Sequence, residues 1–115
     1  MSKVKGKRRF RRDKDQKRAL MRSLSRNLIM NGRIKTTEAR AKELRSFVEP
    51  LITTAKTDSV VSRRKIGKHF DKEAVKKLFN EVAPEYKDRP GGYTRIIKIG
   101  PRDSDGAKEV FIELV

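Results

Sequence analysis

Twelve of the first 26 residues are Lys or Arg, and only Asp13 and Asp15 oppose them. That block carries +10 of the whole chain's +16, leaving 19 basic and 13 acidic residues over the other 89 positions. Like charges at this density repel one another and resist burial, so the segment is not expected to collapse on itself. It makes physical sense against a partner of still denser opposite charge, and phosphate backbone is the commonest one. The sequence thus reads as a basic, flexible N-terminal arm, residues 1–12, followed by a single globular domain, residues 13–115.

A chain of 115 residues has room for one domain with a core that needs no staples. Cysteine is absent, which excludes disulfides, cysteine catalysis and thiolate metal sites and fits a reducing cytosol. No apolar run approaches the roughly 18–20 residues needed to span a bilayer. No uninterrupted apolar segment of the signal-peptide kind follows the basic start. Transit peptides are also Arg-rich, but they are poor in acids and rich in Ser, so the cytoplasm is the expected compartment. Residues 3–12 contain Val4 and Phe10 but no apolar stripe, so an anionic membrane lacks its hydrophobic half here. RNA or DNA is the expected partner.

From about Asp13 the pattern becomes helical, with Leu20, Met21, Leu24 and Leu28 on one stripe. Asp13 or Asp15 suits the helix start and Gly32 a left-handed stop. Arg18, Arg22 and Arg26 recur every four residues, mostly away from the Leu stripe, with almost no nearby acid in sequence to pair with. Residues 33–36 alternate as a short strand. Thr37 then suits an N-cap for a second helix that places Ala41, Leu44, Val48, Leu51, Ile52 and Ala55 at helical spacing. Pro50 inside it predicts a kink or two abutting helices. Asp58 or Ser59 suits the cap of a short third helix ending at Gly67, and Asp71 that of a fourth, which Pro84 should end. Residues 84–92 read as a loop, and Tyr93–Ile99 and Lys108–Val115 as strands. In the last run Val110, Ile112 and Leu114 alternate with Glu109, Phe111 and Glu113, the pattern of a sheet with one buried face. The expected fold class is α+β: four helices on one face of a small sheet, made of a short strand and a C-terminal antiparallel pair.

Catalysis has little to stand on. His69 is the single histidine, so no zinc triad or His-based nucleophile set can be assembled, and it reads as a surface or boundary residue. Asp103 and Asp105 sit in a Ser/Asp/Gly turn, where Asp is expected for its local hydrogen bonds. Gly91-Gly92 lacks the Lys-Ser/Thr and helix of a phosphate-cradling loop. No cofactor, metal or small-molecule substrate is expected.

Candidate RNA contacts are therefore the arm cations Lys3, Lys5, Lys7, Arg8, Arg9, Arg11 and Arg12, and the first-helix cations Lys14, Lys17, Arg18, Arg22 and Arg26. Phe10 interrupts the arginines and either stacks on an unpaired base or packs back on the first helix. Arg63 and Arg64, followed by Lys65, fan around the third helix and suit RNA contact and plain solvation equally. Arg89 and Arg95 bracket Tyr93 beside a glycine-opened loop. The ring can stack on a base or anchor the sheet to the helices. Lys98 and Arg102 extend the same positive rim. No helix-turn-helix, RNP aromatic motif or GXXG clamp is present, and a long basic extension on a well-capped domain suits folded RNA better than sequence-read DNA.

The run Ile34-Lys35-Thr36-Thr37-Glu38-Ala39-Arg40-Ala41-Lys42-Glu43-Leu44-Arg45 resembles the signature region of a known family, the seventeenth protein of the bacterial large ribosomal subunit. Five further runs are similar to that family: Val48–Thr53, Ala55–Val60, Lys77–Pro84, Gly91–Lys98 and Ile112–Val115. The resemblance covers residues from about 16 to 115, in order and with family-like spacing. It implies a helix-rich α+β domain bound to 23S ribosomal RNA on the solvent side of the large subunit, near the peptide exit tunnel. It also implies neighbouring large-subunit ribosomal proteins as partners, and no enzymatic activity.

Overall fold

The computed structural model describes the backbone from Ser2 to Val115 and the side chains from Arg12 onward. Helix α1 spans Ser2–Asn31, strand β1 Arg33–Thr37, helix α2 Glu38–Ala55, α3 Val60–Gly67 and α4 Lys72–Lys77. A π-helical turn, Leu78–Val82, and a short α5, Ala83–Glu85, follow before strands β2, Thr94–Pro101, and β3, Lys108–Leu114. The architecture is α+β, with helices over one face of a three-stranded antiparallel sheet ordered β1-β3-β2.

Local chemistry accounts for most element ends. Gly32 stops α1 at φ +78°, its amide bonded to the Leu28 carbonyl at 2.7 Å. Thr37, Ser59 and Asp71 cap α2, α3 and α4, each side chain accepting a backbone N–H three residues on. Ser59, not Asp58, is thus the cap of α3; Asp58 is held instead by Arg63. Helix α2 runs unbroken through Pro50 as one element.

Two helix ends differ from the sequence expectation. Helix α1 begins at Ser2, so Asp13 and Asp15 lie inside it and not at its start. Lys and Arg are good helix formers and no proline interrupts residues 2–31, so propensity carries the helix upstream of its apolar stripe. Pro84 does not end the fourth helical run. The Ala83 amide bonds the Leu78 carbonyl five residues back, and helical backbone continues to Glu85. In a regular α-helix the Pro84 ring would crowd the Asn80 carbonyl and leave it without a donor; the wider π turn relieves both problems. Leu78, Phe79, Val82, Ala83 and Tyr86 are all buried along this stretch, and that burial offsets the irregular hydrogen bonding.

Central strand β3 puts Ile112 opposite Ile34 and Ile96, and Val110 opposite Thr36 and Lys98. Its buried Val110 and Ile112 meet Leu44, Val48 and Ile52 of α2, Leu28 and Ile29 of α1, and Leu78 in one core. The opposite face carries Glu109, Phe111 and Glu113. A bulge between Lys98 and Gly100 leaves Ile99 unpaired, with Gly100 at φ +133°, a conformation costly for any other residue. Among the described residues no helix is long and apolar enough to cross a membrane.

Candidate nucleic-acid interface

Among the described residues, helix α1 meets the core only from Leu20 onward. Residues 12–19 are all exposed, whereas Met21, Ser25, Leu28 and Ile29 are buried. The helix therefore leaves the domain as a cationic projection, with Lys14, Arg18, Arg22 and Arg26 spaced one from the next by about 6 Å along the axis. Arg12, Lys14, Arg18 and Arg22 are exposed and, among the described residues, lie in no ion pair. Lys17 meets Glu43 of α2 at 3.5 Å, with both side chains largely in water, so the pair binds weakly.

Arg26 breaks the row. Its Nη2 lies 3.0 Å from Asp71 and 3.7 Å from Glu73 on α4, and its Nε donates to the same Asp71 oxygen at 3.1 Å. The Arg26 hydrogen bond, followed by that from the Ala74 amide, holds the Asp71 carboxyl below the usual carboxylate range. The acids missing from the neighbourhood of Arg26 in sequence are supplied by the tertiary fold. Arg26 thus ties α1 to the start of α4, so part of its charge is compensated within the domain.

Where α1 passes the end of α3, the row of charge widens. His69 is partly buried, with its ring edge-on to Phe47 at 5.7 Å and to Phe70 at 6.3 Å. Burial pushes its pKa down, and the positive charges of Arg22 and Lys68 push it further in the same direction. It is the boundary residue the sequence suggested. Lys68, by contrast, was missed; nothing in its local pattern marks it, and only the fold lets its charge and that of Arg22 act on the same His69 ring. Arg64 and Lys65 are exposed on the same short helix. Arg63 is fixed by a two-pronged contact to Asp58, at 2.7 and 3.0 Å, with its guanidinium 4.7 Å from the Phe79 ring centroid.

The loop cluster resolves differently. Tyr93 is fully buried, its hydroxyl 3.0 Å from Thr53 Oγ1 and receiving a bond from Lys56 Nζ at 3.2 Å, its ring 5.1 Å from Tyr86. It is the anchor between sheet and helices, and its placement among RNA-stacking residues is corrected: no base can reach a ring with no exposed surface. Gly92 turns the chain at φ +65°, with open space where a Cβ would stand. Its amide donates to Glu49 Oε1 at 3.0 Å, and Thr94 donates to Oε2 at 2.9 Å. Arg89 stays exposed, its carbonyl accepting from Lys56 Nζ at 2.6 Å. Arg95 pairs with Glu113, which Arg33 also meets at 3.5 Å, so much of its charge is compensated on the outer sheet face. Arg102 clasps Asp105 across the hairpin tip, and that contact with the Ala107 amide lowers the Asp105 pKa to about 2. Lys3, Lys5, Lys7, Arg8, Arg9, Phe10 and Arg11 have side chains outside the described residues. Among the described residues no cluster of three His, Asp or Glu could hold a metal.

The comparisons with known proteins agree with one another. A family model described as Ribosomal protein L17 matches residues 20–115, beginning where α1 first meets the core. The chain is 53% identical to the large ribosomal subunit protein bL17 of Thermoanaerobacter sp. (strain X514), the alignment covering 96% of this chain and 99% of that one. It is 54% identical to the protein of the same name from Gemmatimonas aurantiaca, over 96% and 95%, and 48% identical to that of Staphylococcus carnosus, over 96% and 99%. A family model matched from the first core residue to the last residue, and relatives about half identical along nearly their whole length, show that the chain belongs to the ribosomal protein L17 family.

Proposed function

We propose that this protein is a structural, non-enzymatic constituent of the large ribosomal subunit that binds 23S ribosomal RNA by phosphate neutralisation and shape fit. The observation that carries the reading is the run of exposed cations at Arg12, Lys14, Arg18 and Arg22, in no ion pair among the described residues, on a helix whose residues 12–19 stand clear of the core. A surface of this kind gains little from water and much from displacing counter-ions off phosphates. The arm cations from Lys3 to Arg11 add to it, and Lys68 adds charge beside His69. The names of the relatives place those proteins in the large subunit, which supports the same assignment here and, with it, a cytoplasmic, ribosome-bound location. Neighbouring large-subunit proteins are the proposed partners of the outer sheet face, where Arg33, Lys35 and Arg95 are paired with Glu113 and Glu109 and so have less charge to offer phosphate.

Filter binding to 23S transcripts and to random duplex DNA, across a salt series, tests the proposal. Preferential binding to the transcript, weakening steeply with salt, is the expected result. Equal affinity for both would make the protein a general nucleic-acid compactor. Cleavage of labelled RNA incubated with protein and magnesium would contradict the non-enzymatic role.

A further inference from the structure

Between α3 and the α4–π-turn segment lies an open groove of about 520 Å³, lined by Arg63, Gly67, Phe70, Lys72, Val75, Lys76 and Asn80. That volume is within the roughly 300–1,000 Å³ range of sites that take small organic groups. Two rows at four-residue spacing face each other across it: Arg63 and Gly67 on one wall, Lys72, Lys76 and Asn80 on the other. The floor is apolar, from Phe70 and Val75. Three cations line the groove and no carboxylate does. Arg63 is held in place by Asp58 and the Phe79 ring, so one wall is preorganised.

We propose that this groove receives one unpaired nucleobase of the ribosomal RNA, an inference that rests on the RNA-binding function proposed above. The apolar floor accepts the face of a base, and the Asn80 amide offers both a donor and an acceptor to its edge. Lys72 and Lys76 lie where the flanking phosphates pass. The π turn contributes by widening the helix at Asn80, which keeps that side chain at the groove after two turns in register with Lys72 and Lys76. An acidic peptide would use the same cations, and the RNA-binding function proposed above is what favours a nucleobase over it.

Gly67 supplies a clean probe. No heavy atom lies within 4 Å of where its Cβ would stand, and its φ is not in the left-handed region. Gly67→Leu therefore fills the groove without straining the backbone, and leaves every cation in place. In filter binding to a 23S transcript, Gly67→Leu is expected to weaken affinity by about tenfold, the scale of losing one stacked base, with an unchanged salt slope because every phosphate-facing cation is retained. Asn80→Ala, an exposed change, should weaken it several-fold. Dimethyl sulfate probing should find one unpaired base protected by the wild-type protein and reactive with Gly67→Leu. Wild-type affinity and an unchanged footprint for both variants would overturn the groove proposal, whatever else they did to protein neighbours. A wild-type protein that failed to bind the transcript at all would instead overturn the ribosomal-RNA reading itself.

Discussion

Among the described residues, single cations separate into those left unpaired at the surface and those that hold the domain, and the two classes look alike in sequence. Arg22 and Arg26 are four positions apart on one helix, yet Arg26 is tied to Asp71 and Glu73 while Arg22 has no carboxylate partner among the described residues. Arg22→Ala should lower RNA affinity and flatten the salt slope by a little under one unit with no change in Tm. Arg26→Ala should lower Tm, because α4 loses its tie to α1, and a thermal melt beside a binding isotherm distinguishes the two. Tyr93→Phe removes a hydroxyl shared by Thr53 and Lys56 and should cost about 1 kcal/mol in urea unfolding, with RNA affinity unaltered. Ser25 is fully buried and its hydroxyl has no partner among the described residues. Ser25→Ala should therefore raise stability, by about 1 kcal/mol, since a desolvated hydroxyl is exchanged for a methyl group. At the hairpin tip the folded pKa of Asp105 lies below its ordinary 3.8, at about 2. The stabilisation that follows is present above about pH 4 and is lost as pH falls through 2. An NMR titration of the Asp105 carboxyl carbon should find its midpoint near 2, and Arg102→Ala should return it toward 3.8.

At the scale of elements, short-range rules account for most boundaries. Thr37, Ser59, Asp71 and Gly32 act on groups three or four residues away, so they are legible without any tertiary information. Ser59→Ala should cost about 1 kcal/mol and fray the first turn of α3, visible as faster amide exchange at Ser62. Pro84 misleads for a related reason. The proline rule predicts only that a regular α-helix cannot continue; it does not say whether the chain stops or widens. Burial of Leu78, Phe79 and Val82 favours widening. The start of α1 escapes the apolar-period rule because residues 12–19 bury nothing in the domain.

For the molecule as a whole, charge is sorted between two sides. The helical side carries the free cations of α1, α3 and α4. On the outer sheet face Arg33, Lys35 and Arg95 are paired with Glu113 and Glu109, and Arg33 stacks 3.7 Å over Phe111. Removing residues 1–12 should leave Tm unchanged and reduce the salt slope of RNA binding by roughly 0.7–0.9 for each phosphate that the arm neutralises. An unchanged slope would show that the arm neutralises none. The sequence by itself determined the α+β class, the caps of α2 and α4, the inward face of β3 and the cationic character of the N-terminal segment. Each of these follows from residue type or from neighbours within one or two turns. Which cations stay free, which aromatic is buried and where a groove opens were decided by tertiary structure alone. The acid that neutralises Arg26 stands 45 residues away, and the hydroxyl that fixes Tyr93 stands 40 residues away. Ion pairing and burial depend on distance in space, and chain folding sets that distance.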